Sequence, residues 1–294
     1  MKNYLGITVI ALVVILTACN KEDVNSNSAE ISTKSVQLAV NESVVESAIA
    51  ESNYEADFFL NAEKALTKRF GLGHKWKWMP RMRYKMGHCP DVTIDSTETG
   101  FPKTITLNYG DSTVLKNGRV ISGVIEIYIS AERKTDGAYR QITYNNFKVD
   151  TVAIAGTSKS TFIGDNISTR LSDMTSSLVF TFDNGLTITR TAEKTREWVE
   201  GINTDTDQSD DKIQITGFVN ATTSEGDVYE KTIINALIKL GDCRYIVEGV
   251  VEITENSNLV TRIDYGSGEC DNFATLTQNG ESTEIELRGG KKGK

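Results

Sequence analysis

Four aspartates, Asp205, Asp207, Asp210 and Asp211, crowd into the stretch NTDTDQSDDK at 203–212. Hard cations favour such oxygen clusters, and Asp205, Asp207 and Ser209 alternate as the first three ligands of a calcium loop do. Asp210 stands where that loop turns on glycine, and Thr216 where it closes on a bidentate glutamate, so a solvated acidic loop is the simpler reading. The chain has two histidines, His74 and His88. With Cys89 they could approach a metal, but their spacing matches no zinc pattern. No H-E-x-x-H, G-x-S-x-G or phosphate-cradling glycine loop occurs. Paired carboxylates could hydrolyse glycosides. Asp183, Glu193 and Glu197 are examples, but surface acids are ordinary on strands, and spacing singles out no pair. The expectation is a chain without catalytic residues, metal ligands or cofactor.

The remaining reactive side chains are four cysteines, and the first has a distinctive setting. Lys2 precedes the uncharged run LGITVIALVVILTA, and Cys19 follows the small residues Thr17 and Ala18. A charged start, a short apolar segment and small residues at a cut describe a secretory signal. The run is short of the ~20 residues that span a bilayer as a helix. Leu16-Thr17-Ala18-Cys19 resembles the lipobox of bacterial lipoproteins. That resemblance implies a signal peptide over 1–18, cleavage before Cys19, and a diacylglycerol on its thiol. Acyl chains hold by burying CH₂ groups at ~0.8 kcal/mol each, so several chains anchor firmly. Asn20-Lys21-Glu22-Asp23 is similar to the export tag of Bacteroidetes surface lipoproteins, and reads equally as a solvated charged linker.

Without residues 1–18 the chain has 276 residues, with 31 basic against 40 acidic side chains, a net charge of −9. Nucleic-acid binding depends on Lys and Arg neutralising phosphates, so this balance argues against it. The size suits one or two domains. The prolines, Pro80, Pro90 and Pro102, all precede residue 103, so every later backbone N–H is free to join a ladder.

Residues 19–43 are rich in Ser, Asn and Glu and read as a disordered tether. A helical and basic-aromatic segment follows over 44–88. Val45, Ala48, Ile49, Phe58, Phe59, Ala62 and Leu66 recur at helical spacing, with ESNYEAD a candidate break and Gly71 and Gly73 a stop. KRFGLGHKWKWMPRMRYKMGH at 68–88 interleaves Trp76, Trp78 and Tyr84 with cations. It suits either a connector whose rings cover a sheet end or a patch for anionic head groups.

From Val92 the apolar period becomes two, in segments such as RVISGVIEIYIS and SSLVFTFDNGLTITRT. In YRQITYNNFKV, Arg140, Ile142 and Tyr144 fall on one face. Asp183-Asn184-Gly185 offers the positive φ a tight hairpin needs. EKTREWVEG reads as a helical turn or as a strand with Trp198 and Val199 on opposite faces. The expectation is an all-β domain over 89–288, a sequential antiparallel β-meander of about ten to thirteen strands, with a disordered tail at 289–294. Sheets of that size curl or split, so a curled sheet, sandwich or open barrel is expected.

Cys243 and Cys270 flank a stretch whose turn signal, Asn256-Ser257-Asn258, lies midway. Folding back there brings the two to one end of a hairpin, where opposed Cα atoms about 4.5 to 5.5 Å apart are within disulfide reach. ITLNYGDST matches TRIDYGSGE in shape, a pseudo-repeat in which Val114 takes the place of Cys270 and Cys89 is left single.

FPKTITLNYG, NGRVISGVIEIYIS and CRYIVEGVVEI…IDYGSGECDNFATLTQNG resemble a group of uncharacterised Bacteroidetes lipoproteins, over about residues 89–287. Their usual cysteine after the first Tyr-Gly turn is Val114 here. With the lipobox, the resemblance implies a bacterial outer-membrane lipoprotein facing the periplasm or cell surface. Its partners would be the membrane through the N-terminal lipid and a glycan or envelope protein. A surface polysaccharide hydrolase and a lipid or lipoprotein carrier are the competing readings.

Overall fold

The computed structural model describes residues 31–70, 90–97, 100–115, 118–132, 135–164, 170–202, 209–243, 245–256 and 259–287. The signal segment, Cys19, most of the basic-aromatic stretch, His74, His88, Cys89, Asp205, Asp207 and the tail 289–294 lie outside them.

Among the described residues one helix, α1 (Thr33–Phe70), precedes fourteen strands. These are β1 (Asp91–Ser96), β2 (Lys103–Asn108), β3 (Thr113–Val114), β4 (Val120–Ile129), β5 (Tyr139–Val149), β6 (Val152–Ile163) and β7 (Arg170–Phe182). β8 (Thr187–Glu200), β9 (Lys212–Thr223), β10 (Val228–Leu240), β11 (Ile246–Glu255), β12 (Leu259–Ser267), β13 (Phe273–Gln278) and β14 (Glu281–Glu286) complete the sheet. All pairings are antiparallel, and apart from the two-residue β3, which pairs only with β4, each strand lies beside its neighbours in sequence. The expected meander is therefore present, as a curled sheet that does not close: among the described residues β1 and β14 are its edges. Asp91 and Asp95 on one edge and Glu281, Glu284 and Glu286 on the other carry charge where unpaired backbone would recruit another strand.

α1 is longer than the sequence pattern suggests, at 38 residues, and begins inside the stretch expected to be a disordered tether over 19–43. Ser32 caps it, its Oγ accepting from the Ser35 N–H at 3.0 Å. The polar first turn is bound to the sheet: Ser32 N–H donates to Gln278 at 3.0 Å, and Ser35 Oγ donates to Glu255 at 3.1 Å. Low apolar content misreads this segment because its polar side chains find polar partners in the sheet. ESNYEAD, the candidate break, is continuous helix. Ser52 and Asn53 bond back to the Ile49 carbonyl at 2.9 and 3.0 Å and are held from outside by Tyr144 and Arg140.

The sheet wraps this helix. Contacts from α1 reach Gln278 on β13 and Glu255 on β11 at its N-terminal end, β8 and β10 midway, and β5 further along. Val45, Ala48, Ala56 and Phe59 join Ile105, Ile125, Ile142, Phe147, Ile154, Phe180, Ile188 and Val251 in one buried core. Arg140, Ile142 and Tyr144 do share the inner face, all buried. After Tyr144 a bulge at Asn145–Asn146 resets the alternation, so Phe147 and Val149 also point inward. Opposite this bulge sits Gly123, at φ +82°, where a Cβ would lie 2.0 Å from the Asn146 carbonyl oxygen. Glycine there lets the two strands bend together. Trp198 and Val199 belong to β8, buried and exposed respectively, so the strand reading holds.

Candidate functional site

The buried ionisable residues gather where α1 meets the inner sheet. Glu42 and Glu46 lie one helical turn apart and share a face with Val45 and Ile49. Arg190 and Lys194 have the inward parity of β8, with Ile188, Ala192 and Trp198. Tyr229 and Lys231 have it on β10.

Tyr229 Oη donates to Glu42 at 2.6 Å, and Lys231 pairs with the other oxygen of the same carboxylate. Glu46 accepts from Lys231 at 2.8 Å, from Lys194 at 3.0 and 3.3 Å, and from Arg190. Arg190 Nη2 is also 3.8 Å from Glu42. Burial opposes ionisation of both carboxyls, but Lys231 and Arg190 hold Glu42 below its ordinary value, and Arg190, Lys194 and Lys231 hold Glu46 well below. Burial likewise opposes the charges of Arg190 and Lys231, and the two glutamates overcome it and raise both. Lys194 goes the other way. Burial, with Arg190 and Lys231 adding to it, outweighs Glu46 and lowers its amine to about 8. Tyr229 is pushed up by burial and by Glu42, and Tyr265 by burial to about 12, so both phenols stay protonated.

Three further residues continue this seat. Tyr109 donates to Glu55 at 2.7 Å. Arg140 donates to Asp57 at 2.6 Å and to Asn53 at 2.8 Å. Arg119 donates to Asp150 at 2.9 Å and to Ser47 Oγ at 2.8 Å, and lies 3.6 Å from Glu51. An acidic helix is thus held in a basic groove. Of the two Tyr-Gly motifs of the pseudo-repeat, Tyr109 bonds the helix through Glu55, and Tyr265 lies in the field of Lys231, Glu46 and Glu42.

Cys243 and Cys270 are bonded, with Cα atoms 5.7 Å apart, across the hairpin of β11 and β12. Asp183 pairs with Lys148 at 2.7 Å in the β7–β8 turn. Glu193 and Glu197, four residues apart on β8, have Cα atoms about 13 Å apart along an extended strand. Among the described residues no three His, Cys, Asp or Glu side chains converge as a metal site, and no helix is long and apolar enough to cross a membrane.

The buried cluster was not singled out from sequence. Its signal was present, however: an i, i+4 acid pair on an apolar helical face, and two cations at inward positions of one strand.

Comparisons with family models, curated proteins and solved structures find no match to this chain.

Proposed function

We propose that the protein is a lipid-anchored lipoprotein of the bacterial outer membrane, of Bacteroidetes type, that presents a non-catalytic β domain for binding or for envelope structure. Cys19 carries the lipid in this reading, residues 1–18 being the signal peptide. The observation that carries it is the sequence Leu16-Thr17-Ala18-Cys19 directly after an uncharged apolar run, and the position of α1 is compatible with it. The first described helix after Cys19 starts at Thr33 and lies inside the curled sheet, so a pull on the anchor is borne by the core of the domain.

The competing readings have less support. Asp183, Glu193 and Glu197 form no facing pair for glycoside hydrolysis. A lipid carrier needs a hollow apolar interior, and here α1 packs into it.

Metabolic labelling with a palmitate analogue tests the anchor. The wild-type protein takes up label and Cys19→Ala does not; label retained by the variant contradicts the assignment.

A further inference from the structure

We infer that the seat of Glu46 is an oxyanion site, in which a carboxylate or phosphate group entering from solvent lies beside Lys194 and completes the cluster. The inference rests on the reading of the β domain as a binding module, and is independent of the lipid anchor.

The charges do not balance locally. Among the described residues, Arg190, Lys194 and Lys231 face only two carboxylates, Glu42 and Glu46. A buried charge needs a partner, and one positive charge here has none of its own. Other ionisable groups nearby do not supply it. Tyr229 and Tyr265 are neutral phenols. Glu255 binds Ser35, two helical turns before Glu42 and about 10 Å away along the axis. Glu193 and Glu197 point to the opposite face of β8. Asp57 is engaged by Arg140, Glu55 by Tyr109, and Glu51 and Asp150 by Arg119. Asp211 lies in the field of Arg170 and Arg196.

A second observation points the same way. Arg190 is 2% exposed, and its Nε–H, a donor by chemistry, has no hydrogen-bond partner among the described residues. The cluster also has a mouth. The side chains of Glu46 and Lys194 are 30% and 14% exposed, against 2% to 4% for Arg190, Glu42 and Lys231. A group entering there meets the Lys194 amine beside the more exposed Glu46 carboxylate, ahead of Arg190 and Lys231. An oxyanion fits because it accepts several N–H bonds from cations at once. The source is either a free solute or the head of an amphiphile.

The test uses the full chain in detergent at pH 7, melted in sodium phosphate and in sodium chloride of equal ionic strength. Phosphate should raise the melting temperature by several degrees over chloride. Lys194→Met should melt higher than wild type in chloride and lose the phosphate response. An equal wild-type response to both salts, or a phosphate response that survives Lys194→Met, overturns the inference. Should the variant not fold, competitive amine labelling of wild type, read by peptide mass spectrometry, decides. Phosphate must raise the pH at which Lys194 becomes reactive, and an unchanged profile overturns the site. Hexanoate acting more strongly than acetate assigns an amphiphile; equal action assigns a free solute. Loss of the Cys19 label removes the anchor and leaves this experiment standing.

Discussion

Lys194 donates to both carboxylate oxygens of Glu46, at 3.0 and 3.3 Å, and still its charge is disfavoured in the folded protein. Its amine falls from 10.5 to about 8, because burial and the two neighbouring cations outweigh one shared carboxylate. The unfolded chain therefore binds this proton more tightly than the folded one. The penalty is full below pH 8 and fades as pH rises from about 8 to 10.5. Lys194→Met should thus stabilise the protein at pH 7, by up to about 3 kcal/mol, and the gap should narrow by pH 10.5. Urea denaturation at the two pH values measures it; a variant weaker than wild type at pH 7 contradicts the charge argument.

Glu42 and Glu46 have the opposite sign. Both carboxyls are held below their ordinary value, so their contribution is complete above pH 4.5 and disappears as pH falls through the lowered folded values. Acid should loosen the seat of α1. Removing one charge at neutral pH does the same: Glu42→Gln leaves Lys231 and Arg190 short of a partner and should cost about 3 kcal/mol. Near-ultraviolet circular dichroism against pH, with urea midpoints for the variant, checks both.

The disulfide joins residues 27 apart in sequence. Closing a loop of that size restricts the unfolded chain, so Cys243→Ser with Cys270→Ser should cost about 3 kcal/mol. Alkylation of the denatured, unreduced mature protein should find one free thiol, Cys89, with Cys19 blocked by lipid. Three free thiols would remove the bridge.

Gly123→Ala tests the curl. The new methyl would stand 2.0 Å from the Asn146 carbonyl oxygen, on a backbone at φ +82°. The β4–β5 contact must then separate, at about 2 kcal/mol or more. A melting temperature unchanged by this substitution would mean that the bend at Asn145–Asn146 tolerates a side chain.

The meander was legible in the sequence because alternation with turn residues is a local signal. Arg140, Ile142 and Tyr144 show it in one strand, and Asn256 with the flanking cysteines shows it in the β11–β12 hairpin. The helix was legible only where it is apolar. Its first turn was not, because Ser32 and Ser35 are satisfied by Gln278 and Glu255, more than 200 residues away in sequence.

The sequence by itself determined the strand periodicity, the position of the hairpin that pairs Cys243 with Cys270, and an acidic chain with a helix ahead of its strands. Only the tertiary structure decided that the sheet stays open and curls around that helix. It alone placed Glu42 and Glu46 among Arg190, Lys194 and Lys231. A charge read along a chain carries no sign of its surroundings. Whether it is solvated or buried, paired or in surplus, depends on residues that only folding brings within a few ångströms.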